Sequence, residues 1–404
     1  MNVTKLEKWI SETERLHPLT HQALDALQLE RLCGLLRRER ARFGFYKDVP
    51  ERIESLAELR RLPFTTAADL VSHGGAMTLT SQSRVERVIT GVTSGTTGEA
   101  KRVFYTAADC ENTVGFFAAG ISEMTGAGGA VLIAMPFSGP NGLGDLISRA
   151  VESLGARPIR AGAGLTYGEI AEALEREKPD GYIGMPAPLL SLLRYVGPGS
   201  LRRALISADA CPPGVTEAAE RMLGTRLFPH YGSRETALGG AVTCPAHQGM
   251  HLRENHIIAE IVSPSGEVLS DGDWGELTLT TIGMEAMPLI RYRTGDRARI
   301  LPGDCPCGGV TKRIEVTGRL GGGISMAALD DALFRVPELI DCRAEISGAG
   351  LEIRALTLSD CAGALRSAAE AASGLAASVT ERRPAPGDRS MYAGKRYILP
   401  QKSF

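Results

Sequence analysis

Short apolar runs alternate with amphipathic stretches through the middle of the chain, and this alternation predicts an α/β fold. The runs are bounded by Gly, Pro or polar residues, as strands buried on both faces are, and apolar positions at helical spacing separate them. The predicted strands are Val131–Met135, Pro158–Ala161, Gly181–Met185, Ala204–Ala208 and Arg226–Tyr231. The predicted helices of this part are Ala107–Met124, Tyr167–Glu177 and Ala187–Tyr195. Such alternation favours a parallel sheet with helices on both faces.

The flanking parts of the chain follow different patterns. Residues 4–46 carry leucines at helical spacing, whereas residues 257–300 alternate with the period of two that is typical of an antiparallel sheet. Residues 325–404 mix short strands with an alanine-rich helix, behind the glycine hinge Gly321–Gly323. We therefore predict a large N-terminal domain, 1–320, of doubly wound mixed sheets with an antiparallel part at 240–318. A small, shortened α+β domain would occupy 321–404.

Two threonines mark predicted helix starts. Thr66 stands three residues before Asp69, and Thr106 stands directly before the predicted helix Ala107–Met124. A threonine side chain in this position accepts a hydrogen bond from a free backbone N–H of the first turn. Both residues are therefore predicted N-caps.

Composition and charge exclude several classes of function. The 404 residues carry a formal net charge of −2, so nothing favours binding to nucleic acid or to an anionic membrane surface. No apolar run approaches the roughly 18–20 residues that span a bilayer. The eight cysteines are spread along the chain apart from one close pair, which is unlike a disulfide framework and predicts a reducing, cytoplasmic setting.

One loop has the composition of a phosphate site. The segment Thr93–Lys101, with the sequence TSGTTGEAK, follows the predicted strand Val85–Val92. Its glycines let backbone N–H groups approach an anion, while its hydroxyls and lysine add donors and positive charge. The fixed spacing of the Walker loop is absent. The alternative is a polar hairpin turn with Val103–Tyr105 as the return strand.

Two further motifs place an acid after a glycine turn. In the first, Glu235 follows the turn at Gly232, where a carboxylate suits a Mg²⁺ ion that bridges phosphates. In the second, Asp296 follows Thr-Gly at a strand end, where it can accept hydrogen bonds from ribose hydroxyls. The alternatives are a helix N-terminal acid for Glu235, with Tyr231 as a core ring, and a hairpin turn around Asp296.

A cysteine pair and a distant cysteine–histidine loop predict a metal site. Cys305 and Cys307 lie in a Gly/Pro-rich loop, and Cys244 lies in another loop with His247 and His251. Three thiolates and one imidazole form the closed tetrahedron typical of structural zinc. We predict the set Cys244, His251, Cys305 and Cys307, with His247 as the substitute for His251. The alternative is a group of free buried cysteines.

The sequence Gly-Lys-Arg at 394–396, near the C-terminus, offers a cation. On a mobile domain, Lys395 would reach a phosphate and stabilise charge in a transition state. A frayed basic tail is the alternative, and the residues by themselves favour it.

Together, these stretches resemble a known enzyme superfamily. In order they are TSGTTGEAK, YGSRE, GELTLTT, PLIRYRTGD, CPCGG, TGRL and a terminal GK. In this arrangement the chain resembles the adenylate-forming superfamily, in its phenylacetate–coenzyme A ligase-like branch, over about residues 23–320. The resemblance implies a small mobile C-terminal domain and two half-reactions. A carboxylate attacks the α-phosphate of ATP to give acyl-AMP and pyrophosphate, and the acyl group then usually passes to a pantetheine thiol.

The resemblance also implies roles for individual residues. The β- and γ-phosphates would be held by Thr93, Ser94, Gly95, Thr96, Thr97, Gly98 and Lys101. Glu235 would hold Mg²⁺, Asp296 would bind the ribose, and Lys395 would bridge the ribose ring oxygen and the α-phosphate. Further nucleotide contacts would come from Ala208, Asp209, Tyr231 against the adenine, Gly232, Ser233, Arg234 and Arg319. The acyl pocket, suited to a flat aromatic or heteroaromatic acid, would be lined by Phe137, Gly184, Met185 and Pro186. The predicted zinc ligands resemble those of this branch.

Three positions depart from the superfamily pattern. Arg234 stands where Thr or Ser usually precedes the magnesium glutamate, the segment 207–210 replaces a Gly-Gly-Glu-like adenine contact, and Gly321 replaces the hinge acid. The altered hinge keeps open an enzyme that stops at adenylation and passes acyl-AMP to a partner reductase or another acceptor, instead of to coenzyme A or a carrier-protein thiol. A non-catalytic, zinc-stabilised nucleotide-binding protein is a remoter alternative. The oligomeric state, including a homodimer, stays open.

Overall fold

The computed structural model describes residues 4–92, 100–162, 164–321, 323–385 and 394–399. The α-helices are α1 Lys5–Glu14, α2 His21–Arg42, α3 Ala67–Met77, α4 Ala107–Ile121, α5 Leu143–Ser153, α6 Tyr167–Glu177, α7 Pro186–Val196, α8 Pro213–Leu223, α9 Met326–Leu333 and α10 Ala362–Ser373. The strands are β1 Val85–Val92, β2 Ala100–Thr106, β3 Ala130–Ala134, β4 Arg157–Arg160, β5 Gly181–Gly184, β6 Arg203–Ile206, β7 Phe228–Tyr231, β8 Ala241–Thr243, β9 Met250–Leu252, β10 Ile257–Val262, β11 Gly275–Thr281, β12 Tyr292–Ile300, β13 Arg313–Arg319, β14 Leu339–Ser347, β15 Gly350–Thr357, β16 Ala377–Arg382 and β17 Ile398–Leu399. Across the described ranges, no helix combines the length and the apolar character needed to cross a membrane.

The chain folds as two compact units, each assembled from separate stretches of sequence. Unit 1 comprises Met1–Glu123, Gly139–Ala150 and His230–Leu320, and unit 2 comprises Met124–Ser138, Val151–Pro229 and Gly321–Phe404. The boundary between the units therefore falls inside strand β7.

Unit 1 is built on antiparallel pairing. Strands β10, β11, β12, β13, β9, β8 and the end of β7 lie side by side in that order, and each neighbouring pair is antiparallel. Strands β1 and β2 form a separate antiparallel hairpin. Buried apolar side chains such as Leu252, Ile261 and Leu277 form the core of the larger sheet. The antiparallel character predicted for residues 257–300 is confirmed.

Unit 2 contains the parallel sheet. The start of β7 is followed by β6, β5, β3 and β4, all parallel, and the four residues of β5 are completely buried. Burial on both faces explains why these strands are continuous apolar runs. The C-terminal part adds a four-stranded sheet, in the order β16, β15, β14, β17, with α9 and α10. The predicted α/β class, with a smaller α+β region at the C-terminal end, is confirmed.

Local signals predicted the starts of helices α3 and α4. Thr66 and Thr106 each accept a hydrogen bond from the backbone N–H three residues on, and Asp69 and Asp109 bond back to the cap residue. These reciprocal capping boxes confirm both predicted N-caps. Helix α4 ends at Ile121, three residues before the predicted Met124. Helix ends are the least precisely predicted parts of a helix, because the last turn frays.

The buried carboxylate of Glu39 on α2 makes the stability of unit 1 pH-dependent. Its oxygens find no hydrogen-bond partner among the described residues, and burial raises its pKa from 4.5 to about 7, against the opposing charges of Arg42 and Arg38. Because the folded-state pKa lies above the unfolded value, wild-type stability falls as the pH rises from about 4.5 through about 7.

Glu39→Gln is therefore expected to raise the free energy of unfolding at pH 8 by on the order of 2 kcal/mol, with little change at pH 5. Urea denaturation at both pH values measures the difference. Glu30→Gln, at an exposed position on the same helix, is the matched control. An equal gain at pH 5 and pH 8 would show that ionisation of Glu39 is not the cause.

Candidate active site

The hairpin β1–β2 positions the lysine of the predicted phosphate loop. Gly91 pairs with Lys101 across the hairpin, so the loop is the connection between the two strands. The loop residues Thr93, Ser94, Gly95, Thr96, Thr97 and Gly98 lie outside the described residues.

Lys101 and Glu235 form a buried ion pair in unit 1. The Lys101 Nζ donates to Glu235 Oε1 at 2.5 Å and to the Tyr292 hydroxyl at 3.1 Å, and that hydroxyl donates to the same Glu235 oxygen at 3.2 Å. Burial by itself would raise the pKa of Glu235, but the adjacent Lys101 ammonium outweighs it and holds that pKa below its ordinary value. The carboxylate is therefore ionised, as a magnesium ligand must be.

Tyr292 is a site residue that sequence reasoning missed. It is the first residue of strand β12, and its hydroxyl bonds both Lys101 and Glu235. Burial raises the pKa of Tyr292, so its hydroxyl stays protonated and remains a donor to Glu235. No local pattern marks Tyr292, because its partners Lys101 and Glu235 lie far from it in the sequence.

Arg234 occupies space that a glycine leaves open. A Cβ at Gly91 would lie 1.4 Å from Arg234 Nη1, so the guanidinium packs directly against the strand that leads into the phosphate loop. The buried Nη1 has no acceptor among the described residues, whereas the backbone carbonyl of Arg234 accepts from the Tyr105 hydroxyl. This nitrogen is therefore available as a donor to an anion.

The predicted ribose carboxylate lies in a hydrogen-bond network between β7, β12 and β13. The Tyr231 hydroxyl donates to Asp296 Oδ2 at 2.7 Å, and Arg319 Nη1 donates to Asp296 Oδ1 at 2.9 Å. Gly295 adopts φ +74°, and a Cβ there would lie 2.9 Å from Arg319 Nη2, so a glycine is required between Thr294 and Asp296. The network holds the carboxylate in one orientation.

In unit 2, the predicted acyl and adenine segments meet at the carboxyl ends of neighbouring parallel strands. Phe137 follows β3, the segment Gly184–Pro186 ends β5 and begins α7, and Ser207 follows β6, where its N–H donates to Gly184 O at 2.9 Å. Ala208 has φ +68°, and its carbonyl accepts from Lys395 Nζ at 3.2 Å. The carboxyl ends of parallel strands are where α/β sheets bind ligands.

The predicted zinc ligands come together in unit 1. The ligand atoms of Cys244, His251, Cys305 and Cys307 all lie within 4.8 Å of one another, with Cys244 Sγ 3.7 Å from Cys305 Sγ and Cys307 Sγ 3.4 Å from His251 Nε2. A tetrahedral zinc with bonds of about 2.3 Å to sulfur separates its ligand atoms by about 3.5–3.8 Å, so the group fits. His247 is not one of the four residues.

A second set of side chains orients the histidine of this cluster. Thr311 donates its hydroxyl to Glu7 Oε1 at 2.9 Å and its N–H to the same oxygen at 2.6 Å. The hydroxyl therefore accepts from His251 Nδ1, at 2.8 Å, which leaves Nε2 unprotonated towards the cysteines. Glu7 on α1 was not predicted, because nothing near it in sequence marks a metal site.

The structure distributes the predicted residues over the two units. Those described in unit 1 are Lys101, Tyr231, Gly232, Ser233, Arg234, Glu235, Asp296, Arg319 and the cluster Cys244, His251, Cys305 and Cys307. Those in unit 2 are Phe137, Gly184, Met185, Pro186, Ala208, Asp209 and Lys395.

Comparison with known proteins identifies the family. The family described as AMP-binding enzyme matches residues 48–286. The chain is 31% identical over 350 residues to a phenylacetate-coenzyme A ligase of Aromatoleum evansii, covering 81% of this chain and 78% of the relative. It is 29% identical over 357 residues to the ligase of the same name from Thermus thermophilus, covering 80% and 78%.

A solved structure shows the same fold. The crystal structure of 2-hydroxyisobutyryl-CoA ligase, in the postadenylation state with R3-HIB-AMP, matches with a TM-score of 0.77 at 19% identity and covers 95% of this chain and 91% of its own. The chain therefore belongs to the AMP-binding enzyme family, in the phenylacetate–coenzyme A ligase-like branch of the adenylate-forming superfamily, and is an ATP-dependent, AMP-forming acid ligase.

Proposed function

We propose that this ligase activates an aromatic carboxylic acid as its acyl adenylate and transfers the acyl group to coenzyme A. The contact between Lys395 and Ala208 carries the proposal: the predicted transition-state lysine and the predicted adenine segment, 187 positions apart in sequence, meet within unit 2. Two relatives about 30% identical bear the name phenylacetate-coenzyme A ligase, which supports an aryl acid and coenzyme A as substrates.

In the first half-reaction, a substrate carboxylate oxygen forms a bond to the α-phosphorus of ATP. The bond to the bridging oxygen breaks, and pyrophosphate leaves with the electron pair. Glu235 would hold Mg²⁺, which neutralises phosphate charge when bound. Lys101 Nζ lies 2.5 Å from Glu235 Oε1 without ATP, and it would exchange this partner for the phosphates when ATP binds.

Asp296 and Lys395 would each have a separate role. The carboxylate of Asp296, held by Tyr231 and Arg319, would accept hydrogen bonds from the ribose hydroxyls. The Lys395 ammonium would follow the negative charge that grows on the α-phosphate as the fifth oxygen approaches, so its interaction is stronger in the transition state than in the ground state.

In the second half-reaction, the thiolate sulfur of coenzyme A would attack the acyl carbon, and AMP would leave with the bonding electrons. The half-buried ring of Phe137 and the backbone of Gly184–Pro186 would line a pocket that suits a flat acyl group. The Arg160 guanidinium lies 5.4 Å from the centre of the Phe137 ring and holds the ring by a cation–π contact.

We assign the cluster of Cys244, His251, Cys305 and Cys307 to a structural Zn²⁺. With three cysteines and one histidine, the tetrahedron is complete and leaves no position for a substrate. Cys244 directly follows β8 and His251 lies in β9, whereas Cys305 and Cys307 lie in a distant loop. A zinc ion here would therefore link this loop to the antiparallel sheet.

Glu7→Ala is expected to weaken zinc binding by about 10- to 100-fold, because Thr311 would lose the acceptor that orients its hydroxyl towards His251. Competition with a chromophoric chelator measures the zinc dissociation constant without any assay of activity. Glu12→Ala, at an exposed position on the same helix, is the control. Equal zinc affinity in the Glu7 variant and the wild type would exclude this positioning role.

The proposed reaction is tested by pyrophosphate release with a panel of aryl, heteroaryl and aliphatic acids, with and without coenzyme A, alongside mass spectrometry of the products. We expect release that requires both ATP and an aryl acid, and a thioester when coenzyme A is present. Pyrophosphate release without a thioester would contradict transfer to coenzyme A. It would indicate that the acyl adenylate passes to another acceptor, such as a carrier-protein thiol or an amine. ATP binding without release for any acid would indicate a binding protein.

A further inference from the structure

Arg396, the residue after Lys395, is buried in a polar cluster of unit 2. Its side chain is 8% exposed, and those of Asp330 and Asp341 are 8% and 7% exposed. Arg396 Nε donates to Asp330 Oδ1 at 2.8 Å, Nη1 donates to Asp341 Oδ1, and Nη2 contacts Cys342 Sγ at 3.0 Å. The alternative of a frayed basic tail does not describe this residue.

Burial of this guanidinium constrains its direction. A charged group away from water is tolerated only when its donors are paired, and the planar guanidinium must meet its partners in one orientation. The two aspartates come from α9 and β14, and Asp341 also accepts from the Tyr167 hydroxyl of α6 at 2.9 Å. Three elements of unit 2, α6, α9 and β14, thus converge on Arg396.

The segment that bears these partners is itself firmly attached to helices α7 and α8. Arg194 of α7 donates to the carbonyls of Phe334, Val336 and Leu339, at 2.7, 3.0 and 2.5 Å. The N–H of Gly214, in the first turn of α8, donates to Asp331 at 2.6 Å. Residues of α6, α7, α9 and β14 share one apolar core, so the cluster has a rigid frame.

The frame determines where Lys395 points. Exposure alternates along residues 394–397, as in a strand, with Arg396 turned inward and Lys395 exposed, and the Lys395 ammonium reaches Ala208 O. Two residues after Arg396, Ile398 of β17 pairs with Ala344 of β14, and this pairing fixes the register of β17. A slip by one residue would exchange the two cations.

We propose that Arg396 is a positioning residue, which holds Lys395 at the Ala208 segment through its buried pairs with Asp330 and Asp341. The consequence for catalysis rests on the proposed function, whereas the positioning itself does not. Removal of the guanidinium would release the strand at 394–399, so that the ammonium is no longer preorganised for the α-phosphate.

The test uses the full-length chain and three variants. Arg396→Met leaves two aspartates without their partner, and the triple variant Arg396→Met/Asp330→Asn/Asp341→Asn removes the buried charges together. Arg354→Met, at an exposed arginine paired with Glu352, is the control. Hydrogen–deuterium exchange of the 394–399 peptide is measured without ligands, and kcat and KM for adenylation are measured separately.

We expect about tenfold faster exchange at 394–399 in both Arg396 variants, and kcat lower by about 100-fold with the KM for ATP nearly unchanged. The triple variant should recover the wild-type unfolding temperature without recovering kcat, which a merely stabilising cluster would not produce. Unchanged exchange at 394–399, or unchanged kcat in the triple variant, overturns the proposal. A wild type that adenylates no acid refutes the proposed function, while exchange alone still decides whether Arg396 holds the strand.

Discussion

Replacement of Lys395 by alanine is expected to lower kcat for acyl-adenylate formation by about 10²- to 10³-fold, with KM for ATP and the acid changed little. The ammonium would interact with charge that develops in the transition state, whereas Lys101, Glu235 and Asp296 would hold ATP in the ground state as well. Single-turnover measurement of acyl-AMP separates this chemical step from the later transfer. The fold should be unaffected, because Lys395 is exposed.

Lys47→Ala is the appropriate control, since Lys47 is an exposed lysine distant in sequence from every proposed site residue. If Lys395→Ala forms the adenylate at a rate near that of the wild type, Lys395 takes no part in the first half-reaction. A rise in KM for ATP at unchanged kcat would instead make it a ground-state contact.

The second large effect is expected for Cys305→Ser, which should lose bound zinc and lower the stability of unit 1 by on the order of 4 kcal/mol. Cys305 is buried, and its sulfur lies 3.7 Å from Cys244 Sγ, so a serine would break the tetrahedron and leave a polar hydroxyl in its place. Elemental analysis gives the zinc content, and urea denaturation gives the free energy of unfolding.

Cys33→Ser provides the comparison, because Cys33 is a free cysteine outside the cluster. Wild-type zinc content in the Cys305 variant would show that other residues bind the metal. If the wild type binds zinc at this cluster, a chelator should destabilise it and leave the Cys305 variant unchanged.

The sequence predicted those parts of the fold whose cause lies within a few residues. Thr66 and Thr106 cap their helices through acids three positions on, and the buried strand at Gly181 follows from an uninterrupted apolar run. Helix α8 was not predicted, because it opens on prolines and its start depends partly on Asp331, a residue more than one hundred positions away, which accepts the Gly214 N–H. Contacts of that range leave no local pattern.

The same distinction applies to the site. Residue type and spacing predicted Lys101, Glu235 and Asp296 as contacts of phosphate, magnesium and ribose, and these roles stay predictions. Tyr292 and Glu7 were missed because their roles arise from the partners that folding brings to them. The loop Thr93–Gly98 stays a prediction, as it lies outside the described residues.

The sequence by itself determined the family, the alternation of strands and helices around the parallel sheet, and the chemical groups that adenylation would use. Tertiary structure decided which of these groups are paired: Lys101 with Glu235, Asp296 with Arg319, and Arg396 with Asp330 and Asp341. The physical reason is that burial and charge pairing depend on groups far apart in the chain. Arg396 shows this most clearly, because a basic residue near a chain end carries no local sign that it will be buried between two aspartates.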